Sequence, residues 1–262
     1  SVRKCEVDAM RQLGQMKKST KNSLFTYTLV IAAFVVVQAL RMGPGVGAML
    51  EGQLIPICAY IVMALALNLV VGVSGELSLG HAGFMSIGAF AGSALALALQ
   101  STVTLSPLRL ALAMVFGAVI AAALGFLIGI PVLRLNGDYL AIVTLGFGFI
   151  IKILAINNPQ ITNGAIGLND IPQQPHLLFW CGLFALLATG MILQLVWSKY
   201  GRMMKAIRDD EDAAIAMGVN TFRIKTCAFA TSAFFEGIGG GLLASLLTTI
   251  SPGLFDFMLT FQ

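Results

Sequence analysis

Apolar residues run in long blocks along this chain, and polar residues collect between the blocks. Seven apolar runs, at roughly 24–42, 54–73, 80–99, 108–130, 139–157, 177–197 and 226–247, stand out. Crossing about 30 Å of hydrocarbon takes about 20 mostly apolar residues in a helix. Lipid offers no partner to a free backbone N–H or C=O, so each run is predicted to be α-helical. The pattern predicts an all-α polytopic membrane protein with about seven transmembrane helices. Residues 24–262 form its membrane domain and 1–23 a polar tail. The stretch after Leu247 holds Pro252 and Gly253 and is too short to span, so it is expected on the far side or re-entering.

Composition sharpens this. The chain is 58% hydrophobic and only 11% charged, against about 25% charged in soluble domains. The solvent is therefore lipid, and the net charge of +4 reads as a topology signal rather than a nucleic-acid face. Arg3, Lys4, Arg11, Lys17, Lys18 and Lys21 precede the first run, which places the N-terminus in the cytoplasm. That run has no small-residue cleavage site after it and reads as an anchor. Threading seven spans from there puts Arg134 and the 199–225 loop inside, Arg41 and Arg109 outside, and Lys152 within a span. The reverse orientation would invert the bias.

The same inventory excludes function classes. Cys5, Cys58, Cys181 and Cys227 lack C-x-x-C spacing, and His81 and His176 have no ligand cluster beside them, so no metal or other cofactor is expected. There is no Ser/His/Asp set, no paired carboxylates and no Walker motif, so no catalytic residue is expected.

Three polar or glycine-rich stretches carry the candidate chemistry. In 70–92, Gly72, Gly75, Gly80, Gly83, Gly88 and Gly92 imply a broken helix, close helix packing, or both. Gly88 and Gly92 form a G-x-x-x-G face, and Ser78 is a candidate N-cap after a break near Gly75. A half-helix N-terminus there would offer free N–H groups to a polar solute. Ser78, Gly80 and His81 are translocation-path candidates on that reading. For Glu76 and His81 the alternative is a tight turn at the cytoplasmic surface. Asn68 is expected to be a buried polar group making an interhelical hydrogen bond, with solute contact second.

The loop 157–176 is rich in turn formers and is expected outside, where Thr162, Asn163, Gly164 and Gly167 could meet a delivery protein. Asn157-Asn158-Pro159 is predicted to end the preceding helix.

The 199–225 loop holds six of the sixteen basic residues and is predicted to fold as two short helices. Tyr200, Met203, Met204 and Ile207 recur at helical spacing. Asp209 or Asp210 can cap a second helix through Ala213, Ala214 and Met217, with Gly218 closing it and Asn220 capping the next span.

Taken together, LALNLVVGVSGELSLGHAGFMSIGAF (65–90), PVLRLNGDYLAIVTLGFGFIIKIL (131–154) with ITNGAIGL (161–168), and GRMMKAIRDDEDAAIAMGVNTFRIKTCAFATSAFFEGIGG (201–240) resemble the LivM-type permease subunit of ATP-driven branched-chain amino-acid importers. The likeness covers most of 54–253. It implies a bacterial cytoplasmic-membrane permease without enzymatic activity of its own. It also implies four kinds of partner: a second related permease, two cytoplasmic ATPases, a periplasmic binding protein and the lipid bilayer. The third motif implies a coupling helix seated in an ATPase, with Arg208, Asp210, Glu211, Ala213, Ala214 and Gly218 in that role.

Two departures stand out. Family members continue past the position of Gln262 with further spans, so the resemblance implies either truncation at the C-terminal end or a degenerate copy. Phe149 stands where the family commonly has Glu, and Glu236 where it commonly has a small residue. An ionisable group in mid-span is a functional hypothesis by default. Glu236 joins the translocation-path candidates, with Lys152 as its expected ion-pair partner. A urea or short-chain amide permease is the near alternative, and an autonomous channel or secondary carrier the alternative from another class.

Overall fold

The computed structural model describes Thr28, Ile31, Ala32, Phe34, Val35, Val36 and residues 48–100, 106–135, 137–169, 171 and 177–256. The expected first span, the basic tail, His176 and Cys5 lie outside the described residues, apart from those few helical positions. Residues 1–47 and 48–262 are separate compact units.

Nine α-helices run in order through the described part of the second unit. They are α1 Ala48–Asn68, α2 His81–Ala98, α3 Ser106–Val132, α4 Asp138–Asn157, α5 Pro159–Thr162, α6 Leu177–Trp197, α7 Lys199–Asp209, α8 Glu211–Ala216 and α9 Thr221–Leu247. Among the described residues six segments (α1 with its extension, α2, α3, α4, α6 and α9) are long and apolar enough to cross a membrane. Among those residues there is also no strand, only an isolated bridge between Leu168 and Ile250. The chain is a polytopic all-α membrane protein.

Helix α9 is the hub. Its most apolar window is 78% buried, against 17% for α4, and it packs on α1, α2 and α3. Glycine sets the closeness of that packing. A Cβ at Gly88 would fall on the backbone of Gly237, and one at Gly240 on the Met85 carbonyl. Added at Gly237, it would lie 2.9 Å from Ala118 Cα and Ala121 Cβ. Without a hydrophobic effect between lipid-embedded helices, such backbone contact is what holds them together. Gly237→Val is expected to lower the unfolding free energy by about 1–3 kcal/mol, as overpacking does. Gly146→Ala, where nothing lies within 4 Å, should leave thermal unfolding in detergent nearly unchanged.

The glycine-rich segment is a true break. The last turn of α1 widens into a π-helix, Leu69–Ser74, which ends on Gly75 at φ +80°. Residues 75–80 are non-helical, and α2 starts at His81. Its N-cap is Gly80, not Ser78, and no side chain caps it. Instead the Leu79 N–H reaches sideways to Thr144 Oγ1 at 3.0 Å, and Gly80 sits against the Thr144 carbonyl.

At the other end α4 stops at Asn157, and Pro159 opens the short α5, as the Asn-Asn-Pro run predicts. Thr162 is buried, accepts from the Gly164 N–H at 3.3 Å, and bonds the carbonyls of Ala155 and Asn158. Asn163 and Gly164 take positive φ, and Gly167 at φ +83° lies on the Ile250 carbonyl. Leu168 and Ile250 exchange two hydrogen bonds of 2.9 Å. After Pro252–Leu254 the chain turns back, and Phe255 packs on Phe90 at 6.3 Å between centroids. The segment after α9 therefore re-enters.

Candidate functional site

Two polar assemblies interrupt the apolar packing, and both lie against the break at Gly75. The first is built by the 199–225 loop. Ser198 caps α7 through the Gly201 N–H, and Met204 and Ile207 face the core with Val73, while Tyr200 is exposed. Tyr200 thus leaves the apolar face expected of it, because only a narrow stripe of α7 meets the bundle. Asp210 is the cap between α7 and α8, its carboxylate accepting from the Ala213 N–H at 3.0 Å. Gly218 leaves α8 at φ +82°, and Asn220 caps α9 by accepting from the Arg223 N–H at 3.1 Å. The predicted two-helix elbow is present.

What anchors the elbow comes from elsewhere in the chain. Arg208 Nη1 donates to the Gly72 carbonyl at 2.8 Å, and its side chain lies where a Gly75 Cβ would be. Lys225, at the base of α9, reaches Glu76 at 2.7 Å and Glu211 at 2.8 Å. One buried ammonium thus joins the first turn of α8 to the residue after the break. Arg134 stacks over Phe222 at 5.8 Å on the same end of the bundle. This grouping puts 72–76, Arg134, 208–211 and 222–225 together, as the threading requires.

The second assembly lies deeper. Glu236 in α9 and His81 at the start of α2 are fully buried and bond through Oε1 and Nδ1. Ser232 Oγ stands 2.9 Å from Glu236 Oε1 and 2.7 Å from the Ala66 carbonyl. His81 Nε2, Glu236 Oε2 and the hydroxyls of Ser74 and Ser78 are buried with no protein partner. A buried polar atom left unbonded costs about 1–3 kcal/mol, and an ionisable pair within the spans is a candidate for a role beyond packing. Among the described residues no group of three His, Cys, Asp or Glu is placed to hold a metal.

A family model described as branched-chain amino acid transport system / permease component matches residues 49–262. The chain belongs to that family. The high-affinity branched-chain amino acid transport system permease protein LivM of Salmonella typhimurium is 36% identical over 235 residues, covering 76% of this chain and 53% of that protein. The namesake from Escherichia coli K12 gives the same figures. A probable branched-chain amino acid transport permease protein LivM of Methanocaldococcus jannaschii is 28% identical over 150 residues, 52% of this chain and 43% of that protein. No solved structure matches. The chain spans about half the length of the curated relatives it matches.

Within this permease-family chain several expectations need correction. Glu236 does not meet Lys152. The imidazole of His81 occupies that place, and Lys152 instead bonds Asp256, which the re-entering segment brings within 3.4 Å. His81 is in the buried interior, so the surface-turn alternative fails for it, whereas Glu76 lies in the non-helical break and bonds Lys225. Asn68 is exposed, lying along its own helix over Gly72, and is not the buried interhelical group expected. Ala214 faces the core beside Met204 and Ile224, while Ala213, Ile215 and Met217 face outward. Sequence reasoning misses Glu76 and Lys225 as a pair, and Ile215 and Met217 as a surface. The signal for the last two is apolar side chains stranded in a polar loop.

Proposed function

We propose that this chain is a permease subunit of an ATP-binding-cassette importer for branched-chain amino acids in the bacterial cytoplasmic membrane. ATP hydrolysis belongs to two partner ATPases. A second related permease completes the pathway, and an extracytoplasmic binding protein delivers the solute against the 162–168 turn. The named relatives support the solute class, and the observation that carries the mechanism is the elbow. Ile215 in α8, 53% exposed, and Met217 at its C-terminal cap, 84% exposed, stand out on a capped, small-residue peg. Exposed apolar side chains on a rigid helix are what a partner groove accepts.

The peg is tied to the break on two lines, Lys225 to Glu76 and Arg208 to Gly72. A displacement of α8 by a closing ATPase would therefore reach Gly75, where the backbone can pivot. The deeper His81–Glu236 assembly lies next along the same segment. Arg208, Asp210, Glu211 and Gly218 shape and anchor the peg on this reading, and Ala213 belongs to its contact face.

Met217→Asp and Ala213→Arg test it in the reconstituted importer. Each should reduce ATP-driven leucine uptake at least about tenfold, the equivalent of about 1.4 kcal/mol. Thermal unfolding should stay put, because both side chains are exposed. Unchanged uptake in both would favour a carrier that works without an ATPase.

A further inference from the structure

The face of α7 turned away from the bundle carries a row of positive charge that no described acid answers. Lys199, Arg202 and Lys205 recur at every third residue of that helix, and so do Gly201, Met204 and Ile207, which are buried. The two rows are offset by two positions, or about 200° at 3.6 residues per turn, so they lie on opposite faces. Lys199 and Arg202 are exposed and Lys205 is half-buried. From Leu177 to Arg208 the chain has no acid. The three acids that follow are engaged elsewhere: Asp209 with Arg208, Asp210 as the cap of α8, and Glu211, with Glu76, on Lys225. Among the described residues none forms an ion pair with Lys199, Arg202 or Lys205. Arg202 donates one N–H to the Trp197 carbonyl at 3.3 Å, which keeps its guanidinium by the end of α6.

The depth of this row decides what meets it. Met204 and Ile207 pack on Leu69, Val73, Ile224 and Ala228. Those four belong to the membrane-spanning segments Gly52–Ser74 and Thr221–Leu247. Helix α7 starts two residues past the span Leu177–Trp197 and is held beside the ends of the other two, not out in the aqueous phase. Trp197 and Tyr200, both exposed, flank the row. Tryptophan and tyrosine at the end of a span sit at headgroup level. An amphipathic helix ordinarily lies on a membrane by sinking its apolar face into it. Here the bundle already occupies that face, which leaves the basic one to meet the headgroups. The group that completes it is a phosphate of net negative charge, and the source at that depth is anionic phospholipid.

We infer that Lys199, Arg202 and Lys205 bind anionic phospholipid headgroups at the elbow's end of the membrane. A basic residue beside an anionic leaflet gains about fivefold in binding, so three together command a preference of up to about a hundredfold over a neutral lipid. Helix α7 runs directly into α8, so the same contact fixes the height of the peg against the bilayer. The binding does not depend on what the chain transports.

Quenching of Trp197 by brominated lipid tests this on the full chain. Trp180→Phe leaves Trp197 as the sole tryptophan. The protein is placed in phosphatidylcholine nanodiscs holding increasing fractions of brominated phosphatidylglycerol, and in a matching series with brominated phosphatidylcholine. Phosphatidylglycerol should be favoured at least about tenfold. The preference should vanish in the triple variant Lys199→Gln, Arg202→Gln, Lys205→Gln and persist in the charge-keeping exchange Lys199→Arg, Arg202→Lys, Lys205→Arg. The basic tail, 1–23, is the same in all of them and cannot produce the difference. Salt at about 0.5 M should remove most of the native preference by screening. That arm and the exchange variant decide the matter even where the triple variant unfolds. Equal quenching by the two lipids, a preference that survives the glutamines or high salt, or its loss in the exchange variant would overturn the inference. So would an absence of lipid preference together with weaker binding of ATPase subunits by the glutamine variant, which would give the row to a protein partner instead.

Discussion

Replacing Lys225 by methionine should uncouple the cytoplasmic elbow from the broken helix. Methionine keeps the length and apolar stem of lysine and removes the ammonium that now sits between Glu76 and Glu211. Two carboxylates are then left facing one another, Glu76 only 13% exposed and Glu211 39% exposed. Breaking a buried pair costs about 3–5 kcal/mol. The partial exposure of Glu211 lets water take up some of its charge, so the loss belongs at the low end, about 3 kcal/mol. Thermal unfolding of the purified chain reads that part.

The functional part is read separately. With that tie gone, α8 can still dock on a partner, but only the Arg208–Gly72 line is left to carry its movement to the break. In the reconstituted importer ATP hydrolysis should continue while leucine uptake falls about tenfold, within the range that coupling residues command. Glu76→Gln with Lys225→Met removes the repulsion. It should recover most of the stability and none of the uptake, which separates the tie from the fold. Uptake returning with stability would sink the coupling role of Lys225.

Removing His81 should have the larger effect on stability. His81→Leu leaves the Glu236 carboxyl fully buried with only Ser232 beside it, and the expected loss is about 3–5 kcal/mol. Glu236→Gln keeps a hydrogen-bonding group against the imidazole and should cost only about 0.5–1.5 kcal/mol. The double variant His81→Leu with Glu236→Leu removes both buried polar groups and should recover much of the loss. Thermal unfolding in nanodiscs orders the three. If His81→Leu proves no more damaging than Glu236→Gln, the pair contributes little to holding α2 on α9.

Local chemistry is legible in the sequence and distant partnership is not. Asp210, Gly218 and Asn220 announce the elbow because a cap acts on residues two or three positions away. Glycine density announces the break because glycine is costly wherever a helix simply continues. The side chains that complete the site come from far apart. His81 and Glu236 are separated by 155 positions and Arg208 and Gly72 by 136, and no periodicity encodes either meeting. Lys152 meets a different acid from the expected one because re-entry after Pro252 decides which carboxylate comes near, and so short a tail carries too little pattern to show its path. Ala214 turns inward rather than toward a partner, and α8, at six residues, is too short for an apolar stripe to declare a side.

The glycine seam between α2, α3 and α9 has one more consequence. Where backbone lies on backbone there are no rotamers to rearrange, so those three helices should resist sliding past one another, as stones about a keystone do. The movement proposed above would then fall most easily on α4, whose apolar window is only 17% buried and which meets the block along a margin at Gly80, Gly83 and Gly148. Bulk added along that margin should jam the cycle while leaving the block itself intact.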